Sequence, residues 1–509
     1  MLNKSIISTG SKEATQAGVE ILKAGGNAFD AAVAAVFTSM TSEFALTGAG
    51  GGGAMMIRKP DSDPVLYDFF VDTPPRTGKE ELDFFGVEVD FGDSTQTFHI
   101  GKGSAAVPGT LLGLVIVQEQ FGVLPLPVVM EPAIKLAREG YVLNKKQAYI
   151  FKLLEPIFTH TKEGRELFCS NGKILSGGHR FVNLDFAEFL ERVSWEGATS
   201  FYLGEYAKLI AQTFGKEGLL TEKALGLYHV SVRKPVMTPF MGTKVYSNPA
   251  PSSGGTLIIF LLRLLEEGKV KDLNINHIVQ AMAVANLARK DVCTNPNKEY
   301  QIEELLEDEI FNGNLAKFLS KCMESDDDLI NPSRGETTHV SVIDKDMNCA
   351  SVTTTNGEGC GYILPGTGIM LNNMLGEEDL NPLGFHQWRH PMRLPTMVSP
   401  TIIMKDNLPF ILLGSGGSNR IRSAIVQVIL NYMVKGMGLD EAIISSRIHL
   451  EGKTLYCEPG LDFLTADLPE DITLHPFEEK NLFFGGVNAV TLTEGASDIR
   501  RGGTFEIVD

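Results

Sequence analysis

Cysteine is scarce and scattered in this chain: six in 509 residues (Cys169, Cys293, Cys322, Cys349, Cys360 and Cys457), with no Cys-x-x-Cys pair. That spacing excludes a zinc ribbon and a disulfide framework, and isolated reduced thiols are expected. Basic residues are also in deficit, 45 Lys and Arg against 63 Asp and Glu, for a net charge of −18. Such a surface repels polyphosphate, which argues against sequence-independent binding to nucleic acid or to an anionic membrane. No apolar run reaches the roughly 18 residues that a membrane-spanning helix needs; the longest, near Leu257 to Leu265, is interrupted by Arg263. A membrane protein is therefore not expected. The opening MLNKSIISTGSKEATQ has a lysine but no apolar core of signal-peptide length, so a cytoplasmic location is expected. What is present, 43% hydrophobic and 21% charged residues, is the balance of a globular protein longer than one ordinary domain.

The first segment reads as two helices. Ser11 can cap a run with Ala14, Ala17, Val19, Ile21 and Leu22 largely on one face, stopped by Gly25-Gly26. Asn27 opens a second, alanine-rich helix to about Met40, apolar on nearly every side and therefore buried. Next comes TGAGGGGAMMI, in which Gly48, Gly50 and Gly53 fit G-x-G-x-x-G. In a dinucleotide site those glycines follow a strand and open a helix; here they follow a helix and precede the strand-like Ala54 to Ile57, so close backbone packing is the better reading. Helical patterns return from about Leu111 to Arg138 and from Leu257 to Arg289. An acid-rich stretch, 299–328, reads as a solvated face and leads into the turn-forming loop NPSRGE, 331–336. From Thr337 the pattern becomes β, and a boundary there divides the chain into 336 and 173 residues.

TTHVSVIDKDMNCASVTTTN, 337–356, alternates in period two around a polar centre. Val340 and Val342 share a face while Cys349 interrupts the parity, so alternation supports two strands without fixing their register. With the turn centred on Asp346, residues whose numbers sum to 692 lie opposite one another, and Thr337 meets Thr355 on the same side of the sheet. Threonine pairs across strands are common, so spacing alone leaves a structural pair open beside a catalytic one.

Other motifs offer less. His386 and His390 lie four apart, but no Glu follows the first as a zinc protease requires, and no G-x-S-x-G occurs. GSGGSNR, 414–420, follows the apolar Pro409 to Leu413 and precedes a helix-like run from Ile421, so main-chain N–H groups converge there on an anion, whether an oxyanion or a phosphate.

The hairpin resembles the signature of the gamma-glutamyltransferase family of N-terminal-nucleophile hydrolases, with Thr337, Thr338, His339, Ser341, Val342, Asn348, Ser351, Thr353, Thr355 and Asn356 in step and departures at Met347 and Ala350. Collinear blocks extend the resemblance over nearly the whole chain, including residues 14–35, VPGTLLGL at 107–114, the YSNPAPSSGGT segment, LPGTGIMLNN at 364–373 and LLGSGGSNRI at 412–421. It implies an α+β fold, a four-layer αββα sandwich, formed jointly by segments 1–336 and 337–509. It implies self-cleavage between Glu336 and Thr337, with Thr337 as nucleophile and its freed amine as base, Thr355 as the orienting threonine, and Gly416 and Gly417 as the oxyanion hole. An α-amine titrates near 7.7–8.0, so a useful fraction of it, roughly a tenth to a sixth, is neutral at pH 7, whereas a lysine is almost wholly protonated. No cofactor and no metal are implied; the partners are a small-molecule amide and the two fragments themselves, and a homo-oligomer is permitted.

The chain departs from the family where a substrate glutamate would be held. Phe70 replaces an arginine, with Arg76 six residues on; Met374 and Glu377 stand for a Gln or Glu and an Asp; Thr396-Met397 stand for a serine pair; and either Asn356 or Gly357 stands for the substrate-binding Asn. A carboxylate clamp is thereby removed, and an acyl pocket more apolar than a glutathione site is expected. Two rivals stay open on sequence: a standard glutathione hydrolase, and an uncleaved relative with a binding role.

Overall fold

The computed structural model describes residues 4–90, 95–270, 273–293, 301–320, 337–388, 390–461, 468 and 472–509. Glu336 and the loop 331–336 lie outside the described residues.

The two leading helices form as their caps dictate. Ser11 accepts from the Ala14 amide at the start of Lys12–Lys23, and Asn27 with Asp30 makes a capping box for Ala28–Ser42. Every residue of that second helix is buried. Its apolar surface is covered on one side by the Thr338–Ile343 and Cys349–Thr355 strands and on others by neighbouring helices.

Two antiparallel sheets carry the fold. The larger runs Ser231–Arg233, Val65–Phe69, Gly52–Arg58, Cys349–Thr355, Thr338–Ile343, Ser5–Thr9, Thr504–Val508; the smaller runs Val236–Phe240, Thr243–Ser247, Thr401–Lys405, Leu408–Gly416, Gly486–Val490, Gly495–Ser497. They face each other through Thr338–Ile343 and Cys349–Thr355 on one side and Leu408–Gly416 on the other. Helices Ser253–Glu267 and Arg420–Ile429 pack on the smaller sheet.

The hairpin register is the one that centres on Asp346: Thr338 lies opposite Thr354, Val340 opposite Val352, and Ile343 opposite Cys349. Asp344 builds the turn, its Oδ1 accepting from the Asp346 and Asn348 amides at 2.9 Å each, while its Oδ2 accepts from the Ala28 amide and ties the hairpin to the buried helix. Val340, Val342, Ala350 and Val352 join the helix-side core, whereas Ile343 and Cys349 join the cluster between the sheets. Cys349 thus keeps the strand's parity, on the face that also carries His339, Ser341, Ser351 and Thr353.

The glycine run packs backbone against backbone. A Cβ on Gly51 would stand 2.2 Å from the Thr355 carbonyl oxygen, and one on Gly53 2.5 Å from that of Thr353. Only glycine lets Gly52–Arg58 lie this close to the hairpin. Among the described residues Cys169, Cys349, Cys360 and Cys457 are free thiols, and burial pushes Cys349 and Cys360 up to about 12, leaving both inert.

Candidate active site

Thr337 sits at the head of the Thr338–Ile343 strand, 4% exposed, at the junction of the two sheets. Strand parity places it with His339 on the face turned to the smaller sheet. There Gly416 comes so close that a Cβ would be 2.0 Å from the Thr337 carbonyl oxygen, and Arg501 Nη1 donates to the same oxygen at 3.4 Å. Gly417 follows with a φ of +121°, a backbone that a side chain would strain.

His339, two residues from Thr337, is the obvious rival for a base. Its Nδ1 is paired with the Thr353 hydroxyl at 2.7 Å and its Nε2 with that of Ser341 at 2.8 Å. Burial pushes its pKa down to about 3. A Cβ on Gly414 would meet its ring at 2.3 Å. Neutral, doubly bonded and walled in, His339 is a strut between the sheets.

Phe70, Thr337, Thr355, Glu377 and Thr396 line one cavity, completed by Leu380, Met397, Val398, Ser418 and Ile421. Six sequence-derived positions, Met397 with the first five, come from separate parts of the chain and meet there. Two others lie off that wall. Met374 is fully buried in the apolar cluster between the sheets, where its amide donates to Asn372 Oδ1. Asn356 turns its side-chain amide to the Met370 carbonyl at 3.1 Å, packed beside Gly48 and Gly359.

Arg76 does not replace the missing arginine. Its Nη1 donates to the His386 carbonyl, its Nε lies 3.9 Å from Glu80 Oε2, and its guanidinium sits over Trp388 at 5.5 Å. Asp68 and Asp72, flanking Phe70, are both bound to Arg393, at 3.0 and 2.7 Å. No lysine or arginine lines the cavity among the described residues. Its one acid, Glu377, is held well above the usual carboxylate range by burial and by neighbouring Glu358 and Asp379. Ser418, which the sequence did not single out, is in the left-handed region at φ 48° and donates to Asp379 Oδ2 at 2.8 Å, holding that acid just behind the wall.

A buried threonine at the head of a central strand, pressed against a second sheet and lining a pocket, is the arrangement of the N-terminal-nucleophile class of hydrolases. The comparisons with known proteins go further. The gamma-glutamyltranspeptidase family model matches residues 14–508. The chain is 30% identical over 470 residues to a glutathione hydrolase proenzyme of Escherichia coli K12, covering 86% of this chain and 79% of that protein. It is 28% identical over 527 residues to the acylase ACY 1 proenzyme of Pseudomonas sp. SE83, covering 99% and 93%. Cephalosporin acylase from Bacillus halodurans shares the fold, with a TM-score of 0.80 at 21% identity over 99% of this chain and 96% of that one. The chain belongs to the gamma-glutamyltranspeptidase family. It is an enzyme, an amidohydrolase or acyltransferase for gamma-glutamyl or related acyl amides.

Proposed function

We propose that the chain is a proenzyme that cuts itself between Glu336 and Thr337, and that segments 1–336 and 337–509 stay together as one four-layer αββα sandwich. The interleaving of strands supports this. The larger sheet takes four strands from before Thr337 and three from after it, and the smaller sheet two and four. Parting the fragments would break both sheets, so the cut frees an amine without dismantling the fold.

In the matured enzyme the Thr337 hydroxyl attacks the donor's amide carbonyl and its proton passes to the Thr337 amine. The tetrahedral oxyanion faces the main chain at Gly416 and Gly417. The amine then gives that proton to the leaving nitrogen, the C–N bond breaks, and an ester on Thr337 remains. Water or a second amine releases the acyl group. Thr355, beside Thr337 on the cavity wall, orients the hydroxyl.

The acyl group of the preferred donor lacks an α-carboxylate. The observation that carries this is the cavity wall: Phe70, Leu380, Met397, Val398 and Ile421 are apolar, Glu377 is acidic, and among the described residues no cation on the wall offsets a buried carboxylate. A donor panel on the matured enzyme tests it. An anilide of an unbranched aliphatic acid should exceed gamma-glutamyl anilide in kcat/KM, and Phe70→Arg should raise the gamma-glutamyl to aliphatic ratio by about tenfold or more, the worth of one charged hydrogen bond. Efficient glutathione turnover by the unaltered enzyme would refute the carboxylate-free pocket and restore the standard glutathione hydrolase reading.

A further inference from the structure

Thr337 has a second cavity at its back. Glu43 follows the buried helix Ala28–Ser42 and is 6% exposed. Its Oε1 accepts from the Thr338 hydroxyl at 2.9 Å, while its Oε2 has no hydrogen bond of good geometry. Gly10 makes room for the pair: a Cβ there would lie 2.2 Å from Glu43 Oε1 and 2.5 Å from Thr338 Oγ1. Glu43, Thr337, Asn488, Asp498 and Arg501 are on the wall of this cavity. A neighbouring cavity shares Glu43 and Arg501 and runs out to Gln147 and the exposed Asn144. Among the described residues the back cavity meets the acyl cavity only at Thr337, and the outer one shares none with it.

We propose that Glu43 and the passage behind it form a proton-exchange route between the Thr337 amine and solvent, separate from the acyl cavity. The proposal rests on the reading of Thr337 as an amine-bearing nucleophile. That amine must be neutral to act, and a bound donor fills the front cavity. A Thr337 ammonium gives one proton through a water in the back cavity to the Glu43 carboxylate, leaving a neutral amine and a carboxylic acid. The acid then returns the proton to solvent along the passage, and no other species is consumed. A polar recess of this kind suits a bridging water.

The surroundings single out Glu43. Asp498, the other acid on the wall, is locked to Arg447 at 2.7 Å and Arg500 at 3.1 Å and stays ionised. Burial brings Glu43 up to about 7, with Glu13 adding to the rise and the hydroxyls of Ser39, Thr338 and Ser11 opposing it. Tyr141, whose hydroxyl donates to the Ser42 carbonyl at 3.1 Å, is itself raised by burial, Glu13 and Glu43, hence neutral. His339 is neutral, and among the described residues Arg501 supplies the one cation on the wall.

The test is the pH profile of kcat for matured wild type, Glu43→Gln and Thr338→Val, with maturation followed on denaturing gels. Glu43→Gln should lower kcat about tenfold near neutrality with KM unchanged, and should lose one ionisation from the profile. Thr338→Val removes a hydrogen bond that favours the charged carboxylate, so the corresponding limb should move to higher pH. Profiles that overlay wild type, or a loss equal at every pH, would overturn the proposal. If Glu43→Gln fails to mature, the Thr338→Val profile decides alone: displaced, the route stands; superimposed, it falls. A wild-type chain that neither cleaves nor turns over amides would instead defeat the reading of Thr337, and this inference with it.

Discussion

Thr337→Ala should give a single uncut chain of 509 residues on a denaturing gel, with amidase activity reduced at least about 10⁴-fold. One hydroxyl carries both losses. In maturation it must attack the carbonyl of the preceding residue, and in turnover the carbonyl of the donor. Alanine supplies neither an attacking oxygen nor an ester. The variant should still fold. Thr337 precedes the first paired residue of its strand, and trimming a methyl and a hydroxyl from such a position costs on the order of 1 kcal/mol, well within a protein's reserve. Producing segments 1–336 and 337–509 as separate chains bypasses the cut and splits the two roles. With Thr337 at the start of the second chain the pair should be active, and with alanine there it should be silent. A Thr337→Ala chain found cleaved would move the maturing nucleophile elsewhere.

The hairpin was legible because a β-branched run and a polar centre agreed, while its register followed only once the turn was set at Asp346. Its polar face was not. His339, Ser341, Ser351 and Thr353 alternate with Val340, Val342, Ala350 and Val352, and period two assigns such residues to solvent. They are buried because a second sheet, built from residues far along the chain, covers them; Asn488 Nδ2, for instance, donates to the His339 carbonyl at 2.8 Å. Periodicity reports that two faces differ without saying what lies against either. The acyl cavity divides the same way. Phe70, Glu377, Thr396 and Met397 were found by resemblance, while Leu380, Val398, Ser418 and Ile421 come from loops and a helix start that no local pattern links. Glu43 did leave a trace, an acid placed directly after a helix apolar on all sides, where a solvated residue would be out of place. The substitution at Phe70 was visible too, but whether Arg76 compensated depended on what Arg76 touches, and it is spent on Glu80, His386 and Trp388.

Gly416→Ala should lower kcat by about 10²–10³-fold while leaving KM for the donor nearly unchanged. The alanine Cβ would stand 2.0 Å from the Thr337 carbonyl oxygen and 2.8 Å from its carbon, so main chain must move. The Leu408–Gly416 strand cannot easily be the part that yields. Gly416 pairs with Gly486, the Ser415 hydroxyl bridges the Gly416 carbonyl and the Gly486 amide at 2.8 and 3.1 Å, and the His339 ring leaves no room for a Cβ on Gly414. Thr337 moves instead, and a displacement near 1 Å is worth about 10² in rate on its own. The donor's acyl group would still bind, because Gly416 is not on the acyl cavity wall. Self-cleavage uses the same geometry and should slow alongside turnover. Gly313→Ala, in the exposed part of helix Asp308–Leu319 with nothing within 4 Å of the added Cβ, is the matched control and should leave both rates as they are. A kcat for Gly416→Ala within threefold of wild type would place the oxyanion away from this strand end. A rise in KM with kcat preserved would mean that Gly416 shapes the substrate site and leaves transition-state stabilisation to other groups.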